Sequence, residues 1–150
     1  MKLQLSLQYG IARTGLPAKP TIRRWACAAL KGLRRRRAAL GVRIVGATEA
    51  ASLNSRFRHK HYPTNVLSFP FEAPPGVRSE LLGDLVICAP VVRREARAQG
   101  KPLRAHWAHM IVHGILHLRG YDHGNRQDAA AMENREIRIL KDLGFTNPYL

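Results

Sequence analysis

Leucine alternates with polar residues at the start of the chain: Leu3, Leu5 and Leu7 are separated by Gln4, Ser6 and Gln8. A period of two puts the three leucines on one face of an extended segment, which predicts a half-buried strand. After Pro17 and Pro20 the period changes. Ile22, Ala26, Ala29, Leu30 and Leu33 recur at helical spacing, with Arg23, Arg24, Lys31, Arg34 and Arg35 mostly off that face, so the pattern predicts a helix over 21–39. Gly41 precedes a second strand over 42–47, and a short helix follows over 49–58. Residues 66–71 read as a third strand. Pro70 cannot donate to a ladder, which places that strand at a sheet edge. Pro74, Pro75 and Gly76 make a loop, and a fourth strand over 82–89 is placed to pair antiparallel with the third. Helices are predicted from Pro90 to residue 99 before Gly100, from Pro102 through a histidine-rich stretch, and over 127–143 before Gly144. Strands and helices interleave without a regular βαβ rhythm. The expectation is one α+β domain over residues 1–150, a mixed four-stranded sheet packed by about five helices.

Charge changes the picture. The net charge is +15, and it is uneven: residues 1–60 carry 14 Lys and Arg against one acid, Glu49, whereas residues 61–150 carry 11 against nine. A polyanionic partner is implied, with RNA the leading candidate. The run Arg34 to Arg37 reads equally well as a solvated helix face. No stretch of about 18 uninterrupted apolar residues is present, and the first residues lack the apolar run of a signal peptide, so a cytoplasmic protein without a membrane span is expected. Cys27 and Cys88 form no CxxC pair and read as small buried apolar residues.

The sharpest chemistry lies in HGILHLRGYDH, residues 113–123. His113 and His117 are four apart, so on a helix both imidazoles share one face. Gly120 allows a sharp turn, and His123 can return toward the other two. Three neutral imidazoles make an open, zincin-like zinc site with a fourth position left for water. The spacing is that of the metzincin proteases, but Gly114 stands where their general-base Glu follows the first His. A peptidase built this way lacks its proton acceptor. His106 and His109 lie earlier on the same stripe, too far along to share the ion, and read as hydrogen-bonded structural histidines. Trp107, Met110, Ile111 and Ile115 anchor this helix to the core. Asp122 caps the turn or orients a ligand imidazole. In the last helix Glu136 shares a face with Met132, Ile139 and Leu143, a carboxylate set to pair with a histidine or an arginine inside the fold.

The block HGILHLRGYDH matches the pattern HGxLHLxGYDH at every fixed position, and LNSRFRHKHYPTNVLSFPF (residues 53–71), LLGDLVICAP and KPLRAHWAHMIVHG are similar to further blocks of the same family. Over residues 50–150 the chain resembles the YbeY family, the metal-dependent endoribonucleases of ribosomal RNA maturation. The first 45 residues fit by element order only. The resemblance implies one zinc ion held by His113, His117 and His123, and it makes Arg58 the family's important arginine. It implies cleavage of single-stranded RNA in maturation of the 16S ribosomal RNA 3′ end and in ribosome quality control, with RNA and the small ribosomal subunit as partners and no DNA. Nothing rests on His61. Arg58 has the fork geometry to grip a phosphate; Phe69 and Tyr121 read first as core residues, with stacking of a base in a groove beside the Pro70 strand as the alternative. Two rival readings stand: a ribosome-associated assembly factor whose metal is structural, and a metallopeptidase-like hydrolase.

Overall fold

The structure, a computed structural model, describes residues 1–121 and 124–150. The described elements run β1 (Lys2–Tyr9), α1 (Lys19–Ala29), β2 (Arg37–Val45), α2 (Ala47–Arg58), β3 (Val66–Pro70), β4 (Leu81–Cys88), α3 (Ala89–Ala98), α4 (Leu103–Leu118) and α5 (Arg126–Asp142). The strands form one mixed sheet in the order β1-β2-β4-β3. β1 and β2 pair in parallel through the α1 crossover, β2 and β4 pair in parallel, and β3 pairs antiparallel with β4. The α+β expectation holds, as do the β3–β4 pairing and the edge position of the Pro70 strand.

Alternation decides the two faces of the sheet. Leu3, Leu5, Ala38, Leu40, Val42, Ile44, Leu85 and Ile87 face one way and join Ile22 and Trp25 of α1, Trp107, Ile111 and Ile115 of α4, and Met132 of α5 in the main core. Val45, Leu67, Val86 and Cys88 face the other way and form a smaller core with Ala50 of α2 and Val91 of α3. α4 is buried on most of its circumference, which suits a central helix packed between the sheet and α1, α3 and α5. Gly114 is the residue that lets it approach so closely. A Cβ there would lie 2.8 Å from Leu85 Cδ2 and 3.3 Å from Val66 Cγ2. Position 114 therefore faces the sheet.

Several sequence expectations need correcting. The helix expected over 21–39 ends at Ala29, and the last of the arginines, Arg37, opens β2. Arginine, alanine and leucine favour a helix locally. Here pairing with β1, residue for residue from Lys2↔Arg37 to Tyr9↔Ile44, draws residues 37–45 into the sheet. Cys27 is exposed rather than buried; Cys88 is buried as expected. Phe69 turns to the α2 face and meets Phe57 edge-on at 5.3 Å between ring centroids, away from the histidine side.

Candidate metal centre and groove

α4 delivers His113 and His117 one turn apart, half-buried, with their Nε2 atoms 3.2 Å from each other. Two nitrogens bound to one tetrahedral ion at ~2.0–2.1 Å stand about 3.3 Å apart, so this separation fits a shared metal. The helix stops just beyond them. Gly120, at φ +98°, closes the end: its N–H donates to His117 O at 3.0 Å, and Tyr121 N–H donates to Leu116 O at 3.0 Å. This left-handed turn redirects the chain beside the two imidazoles. His123 and Asp122, which complete the sequence reading of this site, lie outside the described residues.

Behind the pair sits Glu136 of α5, fully buried. His109 Nε2 donates to its Oε2 at 2.5 Å, His113 Nδ1 donates to the same oxygen at 3.2 Å, and the Tyr149 hydroxyl donates to Oε1 at 2.8 Å. Burial alone pushes the Glu136 carboxyl up, but the hydrogen bonds from His109 and His113 overcome it and bring it down to about 2. The Tyr149 hydroxyl is pushed up by burial and by this carboxylate. Among the described residues Glu136 has no Lys or Arg partner. A buried carboxylate held by two imidazoles and a phenol, with no cationic side chain of its own, suits a site where a cation balances its charge.

His109, His113 and Glu136 bring donor atoms within 4.8 Å of one another, a group that could itself hold a metal ion. The 2.5 Å contact between His109 and Glu136 is shorter than the spacing of two ligands on one ion. It is the spacing of a strong hydrogen bond. His106, as expected, is also a hydrogen-bonded core residue: its Nε2 meets Glu95 Oε1 at 3.0 Å, and its pKa is lowered by burial against the opposing pull of that carboxylate.

The two imidazoles open into a groove of about 430 Å³ whose far wall is edge strand β3. Arg58 reaches it from the last residue of α2. His59, at φ +59°, caps that helix, and buried Asn54 donates to Tyr62 O at 2.7 Å to hold the following loop. The Arg58 guanidinium donates to Ser68 O at 3.0 Å and lies 5.7 Å from the Phe69 ring centroid. The structure thus brings Arg58, His113 and His117 to one groove, with half-buried Tyr121 in its wall. His61 pairs instead with Ser55 on α2, at 3.1 Å.

Three contributors escaped the sequence reading. Ser68 lines the groove and donates to Gly114 O at 3.2 Å, tying β3 to α4. Asn65 lines the groove too and donates to Glu95 at 3.1 Å. Tyr149 completes the shell of Glu136 from near the end of the chain. Ser68 and Asn65 lie inside the block NVLSFPF, which was a signal for a site without naming its polar members.

The sequence profile described as Endoribonuclease YbeY matches residues 16–144. The chain belongs to the YbeY family. Curated relatives in this family include Endoribonuclease YbeY of Alkalilimnicola ehrlichii, 58% identical with 98% of this chain and 91% of the relative covered. The Methylococcus capsulatus protein of the same name is 56% identical, covering 98% and 95%. That of Stenotrophomonas maltophilia is 54% identical, covering 99% and 94%. A Thermotoga maritima protein solved in solution shares the fold, with a TM-score of 0.66 at 22% identity over 93% of this chain and 89% of that one. The YbeY assignment reaches into the basic N-terminal half, where the motifs had been silent.

Proposed function

We propose that this protein is a metal-dependent endoribonuclease. It holds one Zn²⁺ through His113, His117 and His123 and cuts single-stranded RNA in the cytoplasm during maturation of the 16S ribosomal RNA 3′ end and in ribosome quality control. The observation that carries the reading is the convergence of His113 and His117 Nε2 in a groove shared with Arg58, in a chain of the YbeY family. When bound, the ion supplies Lewis acidity, drawing charge from a phosphate oxygen and making a neighbouring water more acidic.

The chain's own residues do the rest. Glu136 accepts a hydrogen bond from His113 Nδ1–H, which fixes the tautomer whose Nε2 lone pair faces His117. His109 and Tyr149 hold that carboxylate in turn. Arg58, fixed by Ser68 O, presents the rest of its guanidinium fork to a phosphate and offsets charge that develops on it. Tyr121 offers a ring to a base. Gly114 faces Leu85, so no side chain at that position could act as the proton acceptor of a peptidase. No described helix is long and apolar enough to cross a membrane.

The test is cleavage of end-labelled single-stranded RNA and of the same sequence as a duplex, by protein stripped with a chelator and then reloaded with zinc. Cutting of the single strand that disappears on stripping and returns with zinc is expected. Ribosome association with no cleavage in any metal state would replace the proposal with an assembly-factor role.

A further inference from the structure

A second groove, about 860 Å³, lies at the far end of β3. One bank is Arg34, Arg35 and Arg36 of the segment between α1 and β2, with Arg37 at the start of β2. The other is the segment between β3 and β4 with Phe71 and Arg78. All five arginines are exposed. Glu80 is the one acid in the described lining, and among the described residues none of the five arginines is in an ion pair. These are not side chains of a solvated helix face, because their backbone is pinned to the sheet. Lys2 N–H donates to Arg36 O at 2.8 Å, Ala39 N–H donates to Glu80 O at 2.8 Å, and Arg35 reaches across to Ser79 O at 3.3 Å. Phe71 keeps 44% of its surface exposed beside them.

We infer that this groove is a docking site for the backbone of a single-stranded RNA whose scissile bond lies in the histidine groove; the inference rests on the nuclease reading above. Three observations support it. Five unneutralised guanidinium groups on a fixed backbone match closely spaced phosphates, which Arg grips in bidentate fashion. An exposed aromatic next to them can stack a base without regard to sequence. The two grooves also border consecutive residues at the end of one strand: Pro70 lines the first and Phe71 the second. From Ser68, which holds Arg58, to Phe71 is three strand residues, about 10 Å. An RNA strand docked in both grooves would run along the edge of β3, the last strand of the sheet.

The experiment uses the full chain with Arg34→Gln, Arg35→Gln, Arg36→Gln and Arg37→Gln combined, and separately Phe71→Ala. Binding of a labelled oligoribonucleotide is followed by fluorescence anisotropy in chelator, across a salt series. Each phosphate contact on a single strand contributes about −0.7 to the slope of log affinity against log salt. The quadruple variant should therefore shift the slope by about 2 to 3 toward zero. Phe71→Ala should lower affinity with the slope unchanged. With zinc restored, the quadruple variant should show raised KM and wild-type kcat on long RNA. It should show no change on an RNA too short to leave the histidine groove. An unchanged slope and KM in a folded variant overturns the inference while leaving the nuclease reading standing. A shifted slope in a protein that never cleaves supports the groove and sinks the nuclease. Loss of binding to anionic lipid vesicles with RNA affinity unchanged also overturns the inference and assigns the groove to a membrane surface.

Discussion

The histidine groove is walled by β3 and the arginine groove by the residues just beyond its end, yet little else about them is alike. In the first, the side chains that matter are half-buried and supported from behind: Glu136 is fully buried and takes hydrogen bonds from His109, His113 and Tyr149. In the second, the arginines are exposed, and Arg35–Ser79 is the one side-chain tie of the five arginines among the described residues. Chemistry needs atoms fixed to within a fraction of an ångström, which takes a rigid helix and a satisfied shell. Docking a polyanion needs only charge density at roughly the right place. Substitutions should therefore act as all-or-none in the first groove and as graded, salt-dependent effects in the second.

The largest break in that comparison should come from Arg58, which has the location of the first groove and the exposure of the second. Arg58→Lys keeps the charge and loses the fork. We expect kcat for RNA cleavage to fall about 10²- to 10³-fold with bound zinc unchanged; a change in KM alone would move Arg58 into the docking class. Glu136→Gln should come next, weakening zinc affinity about 10- to 100-fold in a competition titration, because the group that His113 donates to loses its charge and one of its two acceptor oxygens. The four-arginine variant should leave zinc affinity untouched.

Gly114→Ala sharpens the comparison from the packing side. Helix propensity alone predicts a gain of about 1 kcal/mol. The new Cβ would meet Leu85 Cδ2 at 2.8 Å, and overpacking of that kind costs about 1–3 kcal/mol. Urea unfolding should therefore show net destabilisation, and an increase in stability would mean that α4 can lift off the sheet. The smallest effect should be at the half-buried Arg43–Glu49 pair, 2.6 Å apart on the α2 face. Hydrogen bonds from Arg43 hold the Glu49 carboxyl below its usual range. Its stabilisation is present above the unfolded carboxyl value of about 4.3 and is lost as pH falls through the lowered folded value. Glu49→Gln should flatten the acid limb of stability against pH, by less than about 1 kcal/mol.

The same contrast explains what the sequence disclosed. The histidine spacing, the Gly120 turn and the edge position of Pro70 are local patterns, readable because one helix or one strand carries them. Glu136 was visible as a carboxylate on an apolar face, but its partner was not. The contact with His113 spans 23 residues and depends on how α5 crosses α4. The arginine run was misread because its residues favour a helix, while the partner that decides otherwise, β1, lies 35 positions earlier in the pairing Lys2↔Arg37. Phe69 was legible as a core residue, but which of the two cores it joins depends on pairing register, here Phe69↔Asp84. Cys27 was misread from residue type, although the stripe Ile22, Ala26, Ala29 and Leu30 leaves position 27 off the buried face.

The central claim is that the α4 histidines hold the ion that makes this fold a nuclease. The direct measurement is elemental analysis of zinc, together with single-stranded RNA cleavage, for wild type and His117→Ala purified in parallel and shown to be folded by thermal unfolding. The account predicts one zinc per chain and cleavage in the wild type, and neither in the variant. A folded His117→Ala protein with a full complement of zinc and undiminished cleavage would contradict it.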